Sequence, residues 1–176
     1  LESIVRHLDP AIVRLHAYTN EPPHDDPLTD RLRPFFAGWT SIRALDDATA
    51  SRRIQADGIH LLIDLAGHTA LNRLSLFPWR AAPVQASWLG YFASTGVPGI
   101  DYFLADDFSV TEEESNHFSE SIWRLPGSRL CFTAPEPRPS LEIRPAPCTT
   151  RGAVTFGCFQ RPGKIHDGVL RVWGQI

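Results

Sequence analysis

Residues 59–65 spell I-H-L-L-I-D-L, an almost unbroken apolar run that stops at the turn A-G-H-T. No other segment constrains the fold as much. A half-exposed strand alternates polar with apolar residues, whereas a short continuous apolar strand belongs to a parallel sheet covered on both faces. Parallel strands cannot be joined by tight hairpins, so such a run demands crossover connections and helices between strands.

The rest of the chain supplies that alternation. Leu1, Ile4, Val5 and Leu8 are spaced as one face of a helix, broken at Asp9-Pro10. Ile12 to Tyr18 reads as a strand, Asn20 to Pro27 as a loop, Leu28 to Phe36 as a helix and Trp39 to Leu45 as containing a short strand or extended segment. Asp46 is placed to cap a helix over Ala48 to Ala56, with Asp57-Gly58 as its stop. After the 59–65 strand come a helix over Ala70 to Phe77, a strand over Val84 to Leu89 and a loop over Gly90 to Gly99. A strand over Asp101 to Ala105, a helical turn over Glu112 to Phe118 and a strand over Ser121 to Leu125 follow. This order predicts an α/β fold with a mainly parallel sheet.

The composition then shifts. Ala134 to Pro147 contains five prolines, which cannot donate to a ladder and read as an extended linker. Beyond it, Val154 to Phe159 reads as a strand and Lys164 to Ile176 as a helix, the first βα step of a second domain. The predicted division is residues 1–133, a linker over 134–152, and 153–176. The first residue is Leu1, the chain holds no Met, and both ends fall inside helix-like patterns, so the sequence reads as a piece of a longer one.

Composition narrows the function classes. The net charge of −3 and the scattered basic residues argue against nucleic acid. No apolar run is long enough for a membrane span. Three cysteines, Cys131, Cys148 and Cys158, show no C-x-x-C spacing and fit a reduced, cytoplasmic protein. There is no H-E-x-x-H and no G-x-G-x-x-G, so neither a metal site nor an ordinary dinucleotide site is expected.

Three places could carry chemistry. His68 and Thr69 follow the 59–65 strand, and ligands of open α/β sheets sit beyond the carboxyl ends of strands; equally, Gly67 makes a turn and Thr69 caps the next helix. S-W-L-G-Y at 87–91 followed by S-T-G at 94–96 lets backbone approach a ligand, or simply turns the chain. Near the end, F-G-C-F at 156–159 leads through Gln160 and Arg161 to Lys164, whose cation at a helix start opposes the macrodipole and suits a phosphate. His60 and Asp64 fall on one face of the apolar strand; mutual hydrogen bonding is the expected role, with catalysis as the alternative.

Together these pieces form a specific string. D-G-I-H-L-L-I-D-L-A-G-H-T at 57–69, N-R-L at 72–74 and A-P-V-Q-A-S-W-L-G-Y at 82–91 are followed by S-T-G-V-P-G-I-D-Y-F-L-A-D at 94–106. F-S-E at 118–120, L-P at 125–126 and V-T-F-G-C-F at 154–159 complete it. In order and spacing the chain resembles the bacterial protein O-GlcNAc transferase family over its whole length.

The resemblance implies a GT-B architecture: two Rossmann-like domains facing across a cleft, usually preceded by tetratricopeptide helices. It implies inverting transfer of N-acetylglucosamine from UDP-GlcNAc to serine or threonine hydroxyls of proteins, with no essential metal or further cofactor. Its partners would be a nucleotide sugar and a protein or peptide acceptor, with no nucleic acid and no membrane. By match of position, Lys164 contacts the donor diphosphate and steadies the departing UDP, and the backbone of Leu89 and Gly90 lines the sugar pocket. Arg161 stands near the diphosphate where the family usually has Gln or a small polar residue, and Phe92 stands where Pro usually follows L-G-Y. The family's S-D-F-x-x-H-P motif, with its Asp and His, would lie upstream, and the uridine-binding loop downstream. The isolated chain is therefore expected to be inactive and to bind UDP weakly. A non-catalytic scaffold of the same fold and a Spindly-type transferase using GDP-fucose are the alternatives.

Overall fold

The computed structural model describes residues 1–22, 26–134 and 142–176. Residues 23–25 of the expected loop, and 135–141 of the proline-dense stretch, lie outside them. The chain divides into two compact units, Leu1–Ala134 and Pro135–Ile176.

The first unit opens with α1 (Glu2–His7), closed by an ion pair from Arg6 to Glu2 at 2.7 Å and buried at Val5. The expected strand at Ile12 to Tyr18 begins later, as β1 (His16–Thr19). Asp9 is the reason: its side chain accepts the Ala11 N–H at 2.8 Å, and its carbonyl accepts from Ile12 and Val13. The backbone donors a ladder needs are thus taken by a turn. Helix α2 (Pro27–Leu32) is capped by Asp26, has Pro27 in its first turn and tightens to a 3-10 turn at Arg33–Phe35. Strand β2 (Gly38–Ser41) pairs in parallel with β1.

Helix α3 (Asp47–Ala56) starts where expected, the Asp46 side chain accepting the Thr49 N–H at 2.7 Å. It ends at Gly58, whose φ of +69° suits a residue without a Cβ. Its buried face, Ala50, Ser51 and Ile54, packs with Ile42, Leu76 and Ala81. No regular α-helix forms over Ala70 to Phe77. The chain makes a turn with Leu71 at φ +61° and then a 3-10 helix, Leu74–Trp79, holding Pro78. Proline lacks the N–H and crowds the preceding turn, which limits an α-helix there.

Strands β3 (Leu61–Asp64), β4 (Val84–Ser87), β5 (Tyr102–Ala105) and β6 (Ser121–Arg124) form a four-stranded, all-parallel sheet in sequence order. The segment Glu112 to Phe118 contains a 3-10 turn, Glu114–His117. One face of the sheet carries Leu62, Phe103, Ala105 and Ile122 into three apolar clusters, with Gln85 buried on the same face. Gln85 ties that side together: its amide donates to the carbonyls of Phe77 and Gly99 and accepts from the Ala81 N–H. Burial on both faces, expected from the 59–65 run, is not what is found. Leu61 is 47% and Ile63 37% exposed, with Trp123 and Tyr102 on the same bare face.

In the second unit, α4 (Cys148–Arg151) is a single helical turn inside the expected linker, ended by Gly152 at φ +67°. No strand forms among the described residues 142–176, so the expected strand over Val154 to Phe159 is absent. Helix α5 (Asp167–Trp173) is shorter than the expected Lys164 to Ile176. Ile165 leaves helical geometry, and the His166 side chain caps the start by accepting from the Gly168 N–H.

Candidate functional site

The carboxyl ends of β3 and β4 are locked to each other. Asp64, the last residue of β3, is buried and accepts from the N–H groups of Ala66 (3.1 Å) and Gly67 (2.8 Å) and from the Ser87 hydroxyl (3.0 Å). One carboxylate thus shapes the turn after β3 and fastens it to the end of β4. The expected partnership with His60 does not form. His60 is exposed at the other end of the strand, beside a cavity of about 450 Å³ lined by Gln55, Gly58, Arg80 and neighbours.

The two glycines fit into each other's turns. Gly67 has φ +55°, and a Cβ there would stand 2.2 Å from Cβ of Tyr91. A Cβ on Gly90 would stand 1.9 Å from the carbonyl oxygen of Leu65. Both distances are far inside van der Waals contact, so each turn fixes the other. Between them Leu89 sits at φ +73°, while the Gly90 N–H donates to the Trp88 carbonyl at 2.9 Å. This is a three-residue turn with a left-handed centre, a conformation that costs a leucine about 1–3 kcal/mol. The surrounding interlock holds it in place.

His68 closes the next ring of contacts. Its Nε2 is 2.8 Å from the Thr95 carbonyl. A carbonyl only accepts, so Nε2 carries the proton. The ring stands edge-on to Tyr91, with centroids 5.4 Å apart. Thr69 caps no helix; its hydroxyl donates back to the Ala66 carbonyl at 2.9 Å, closing the turn. The 94–97 loop is held from β6. Buried Glu120 accepts from the hydroxyls of Thr95 and Ser94 and from the Thr95 N–H. Burial pushes the Glu120 carboxyl up, but these donors outweigh it and leave it below the usual glutamate range. Asp106, just past β5, is likewise held low, first by the Arg129 N–H and then by those of Ser109 and Phe108.

Of the residues singled out from sequence, Leu89, Gly90, His68 and the S-T-G loop come together at these strand ends. Lys164 and Arg161 belong to the second unit. Both are exposed; Arg161 precedes and Lys164 ends one 3-10 turn, Pro162–Lys164, with the Lys164 N–H donating to the Arg161 carbonyl at 2.9 Å. Lys164 is therefore not in the first turn of a helix, as the sequence pattern predicts; α5 begins three residues later, at Asp167. Phe92 is 71% exposed and lies against Tyr91. Sequence reasoning missed the fastening roles of Asp64, Asp106, Glu120 and Arg129. For the three acidic residues the signal was present as D-L-A-G, L-A-D and F-S-E, each placing a carboxylate at or beside one end of a strand run.

Among the described residues no group of His, Cys, Asp and Glu is arranged to hold a metal ion, and no helix is long and apolar enough to cross a membrane. All three cysteines are free thiols.

Comparison with known proteins adds an independent line. Residues 35–131 match the sequence profile of glycosyl transferase family 41. The chain is 38% identical over 167 residues to the probable UDP-N-acetylglucosamine–peptide N-acetylglucosaminyltransferase SPINDLY of Petunia hybrida, covering 94% of this chain and 17% of that protein. It is 40% identical over 139 residues to the SPINDLY protein of Solanum lycopersicum, covering 78% and 15%. Its fold matches a variant of the Thermobaculum terrenum O-GlcNAc transferase with a TM-score of 0.82 and 32% identity, over 99% of this chain and 32% of the other. The predicted α/β fold with parallel sheets is thus the fold of this part of that transferase. The chain spans about one sixth of the length of these plant relatives.

Proposed function

The chain belongs to glycosyl transferase family 41, and from this we propose that it is part of the catalytic region of an inverting protein O-GlcNAc transferase. That enzyme moves N-acetylglucosamine from UDP-GlcNAc to serine or threonine hydroxyls of a protein or peptide. Residues 1–133 are part of the first catalytic lobe, 134–152 the connection and 153–176 the start of the nucleotide-sugar-binding lobe.

The observation that carries the reading is the interlock at Gly67 and Gly90. It fixes the turn after β4 without side chains at two positions and leaves the Gly90 main chain exposed. In this reading the backbone of Leu89 and Gly90 lines the sugar pocket, where a rigid wall of peptide groups orients the donor at little entropic cost. Lys164, with Arg161 beside it, neutralises the donor diphosphate. As the acceptor hydroxyl releases its proton to solvent and its oxygen bonds to the anomeric carbon, the bond to the diphosphate oxygen breaks and its electron pair leaves with UDP. Charge then grows on the phosphate, and a fixed cation there lowers the barrier. The exposed free cysteines fit a cytoplasmic setting.

Transfer to peptides, followed by mass spectrometry, tests this in the longer enzyme expected from the relatives' length. With UDP-GlcNAc, a mass increment of one N-acetylhexosamine is expected, and Lys164→Met reduces turnover by about 100-fold or more. Transfer from GDP-fucose alone, or from neither donor, would replace the reading with the fucosyl or the scaffold alternative.

A further inference from the structure

Arg129 is a cation without a counter-charge. It is 8% exposed, and among the described residues no carboxylate lies within ion-pair distance of its guanidinium. Its main chain is fully engaged: the N–H donates to Asp106, and the carbonyl accepts from the Trp88 indole at 3.0 Å. The side chain is not. Nη1 donates to the Tyr91 carbonyl at 3.3 Å, and the guanidinium carbon lies 5.7 Å from the centre of the Phe103 ring. Nε is buried with no partner. Nη2 also donates to no described protein atom, yet it is not sealed from solvent, since Nε is the one buried unpartnered side-chain atom among the described residues.

A buried guanidinium with no carboxylate is costly unless something else supplies the negative charge. Nε and the adjacent Nη2 form one edge of the planar fork, the edge that grips two oxygens of a carboxylate or phosphate side by side. The tethers to Asp106 and Trp88 hold the Arg129 main chain beside the carboxyl ends of β5 and β4, and Nη1 ties the guanidinium to Tyr91; open α/β sheets hold their ligands at such strand ends.

We propose that Arg129 is an oxyanion-binding group: its solvent-reached Nη2 takes a phosphate or carboxylate at the rim of the Leu89–Tyr91 turn, and Nε, covered in the free chain, completes the fork as the anion seats. The inference needs only the first unit and is independent of the sugar transferred.

Nuclear magnetic resonance of the ¹⁵N-labelled chain reads the Arg129 Nε–H directly, with Lys164 followed separately through its own amide. Sodium pyrophosphate, sodium acetate and sodium chloride are titrated at matched ionic strength. A saturable shift of the Arg129 Nε–H is expected with pyrophosphate or acetate, at a concentration about tenfold below any response to chloride. Pyrophosphate acting first identifies a phosphate site, and acetate acting first a carboxylate site. Arg129→Lys keeps the charge but loses the fork, so the accompanying shifts at the Tyr91 and Phe92 amides should need about tenfold more anion. An Nε–H signal that stays still, or that follows chloride equally, overturns the proposal. That titration of the unaltered chain decides the matter even if the variant does not fold.

Discussion

Two glycine-bearing segments look alike in the sequence, W-L-G-Y at 88–91 and P-G-K at 162–164, yet they differ in what surrounds them. At Gly90 a single added carbon would collide with the Leu65 main chain, whereas at Gly163 nothing lies within 4 Å. The first glycine is demanded by packing between two strand ends. The second is a permissive residue on an exposed turn. A short motif therefore says little about rigidity; the partner that approaches it decides.

The largest test of this contrast is Gly90→Ala. With backbone on both sides of the clash, neither turn has a flexible tip to move, and a loss of about 3 kcal/mol or more is expected in urea unfolding. Gly163→Ala should stay within about 0.5 kcal/mol of the parent. Equal midpoints for the two variants would break the comparison.

Asp64→Ala comes next. It removes the acceptor for two N–H groups and a hydroxyl at a buried position, a loss of about 2–3 kcal/mol by the same measurement. An unchanged midpoint would show that the glycines alone hold the turns.

A smaller effect is expected from acid. The folded Glu120 carboxyl titrates below its unfolded value of about 4.3. Its contribution to stability is complete above that value and is lost as pH falls through the lower, folded one. Glu120→Gln should therefore flatten the acid limb of a stability-against-pH curve, with Asp106 still supplying part of the slope. Parallel acid limbs for the two proteins would contradict it. Lys164→Ala should have the least effect on folding, within about 0.5 kcal/mol, because the side chain is exposed.

Some of this was legible from residue patterns. The Asp46 cap and the Gly58 stop of α3 were readable because both act on their immediate neighbours. The run at 59–65 gave a parallel strand for the same reason, but it could not report that Leu61 and Ile63 lie bare, since coverage depends on segments far away. Strand onset at residue 16 and not 12 turned on the Asp9 turn, whose side chain takes the Ala11 N–H and whose carbonyl takes those of Ile12 and Val13. The site was half legible. Leu89 and Gly90 stood out as a turn, but the Gly67–Tyr91 contact, the reach of Glu120 to Thr95 across 25 positions and that of Arg129 to Tyr91 across 38 are tertiary. At Val154 to Phe159 the β-like composition found no partner strand among the described residues, and composition alone cannot supply one.

The reciprocal seating of the two turns also governs how freely these positions can drift over evolutionary time. Gly90 abuts the peptide carbonyl of residue 65, an atom every amino acid carries, so no replacement at 65 relieves a new side chain at 90. Gly67 abuts the Tyr91 side chain instead, so its constraint is negotiable in pairs: a glycine at 91 would open space at 67, though the left-handed backbone there would still favour glycine or asparagine. Descendant sequences should accordingly treat position 90 as invariant and position 67 as conditionally so.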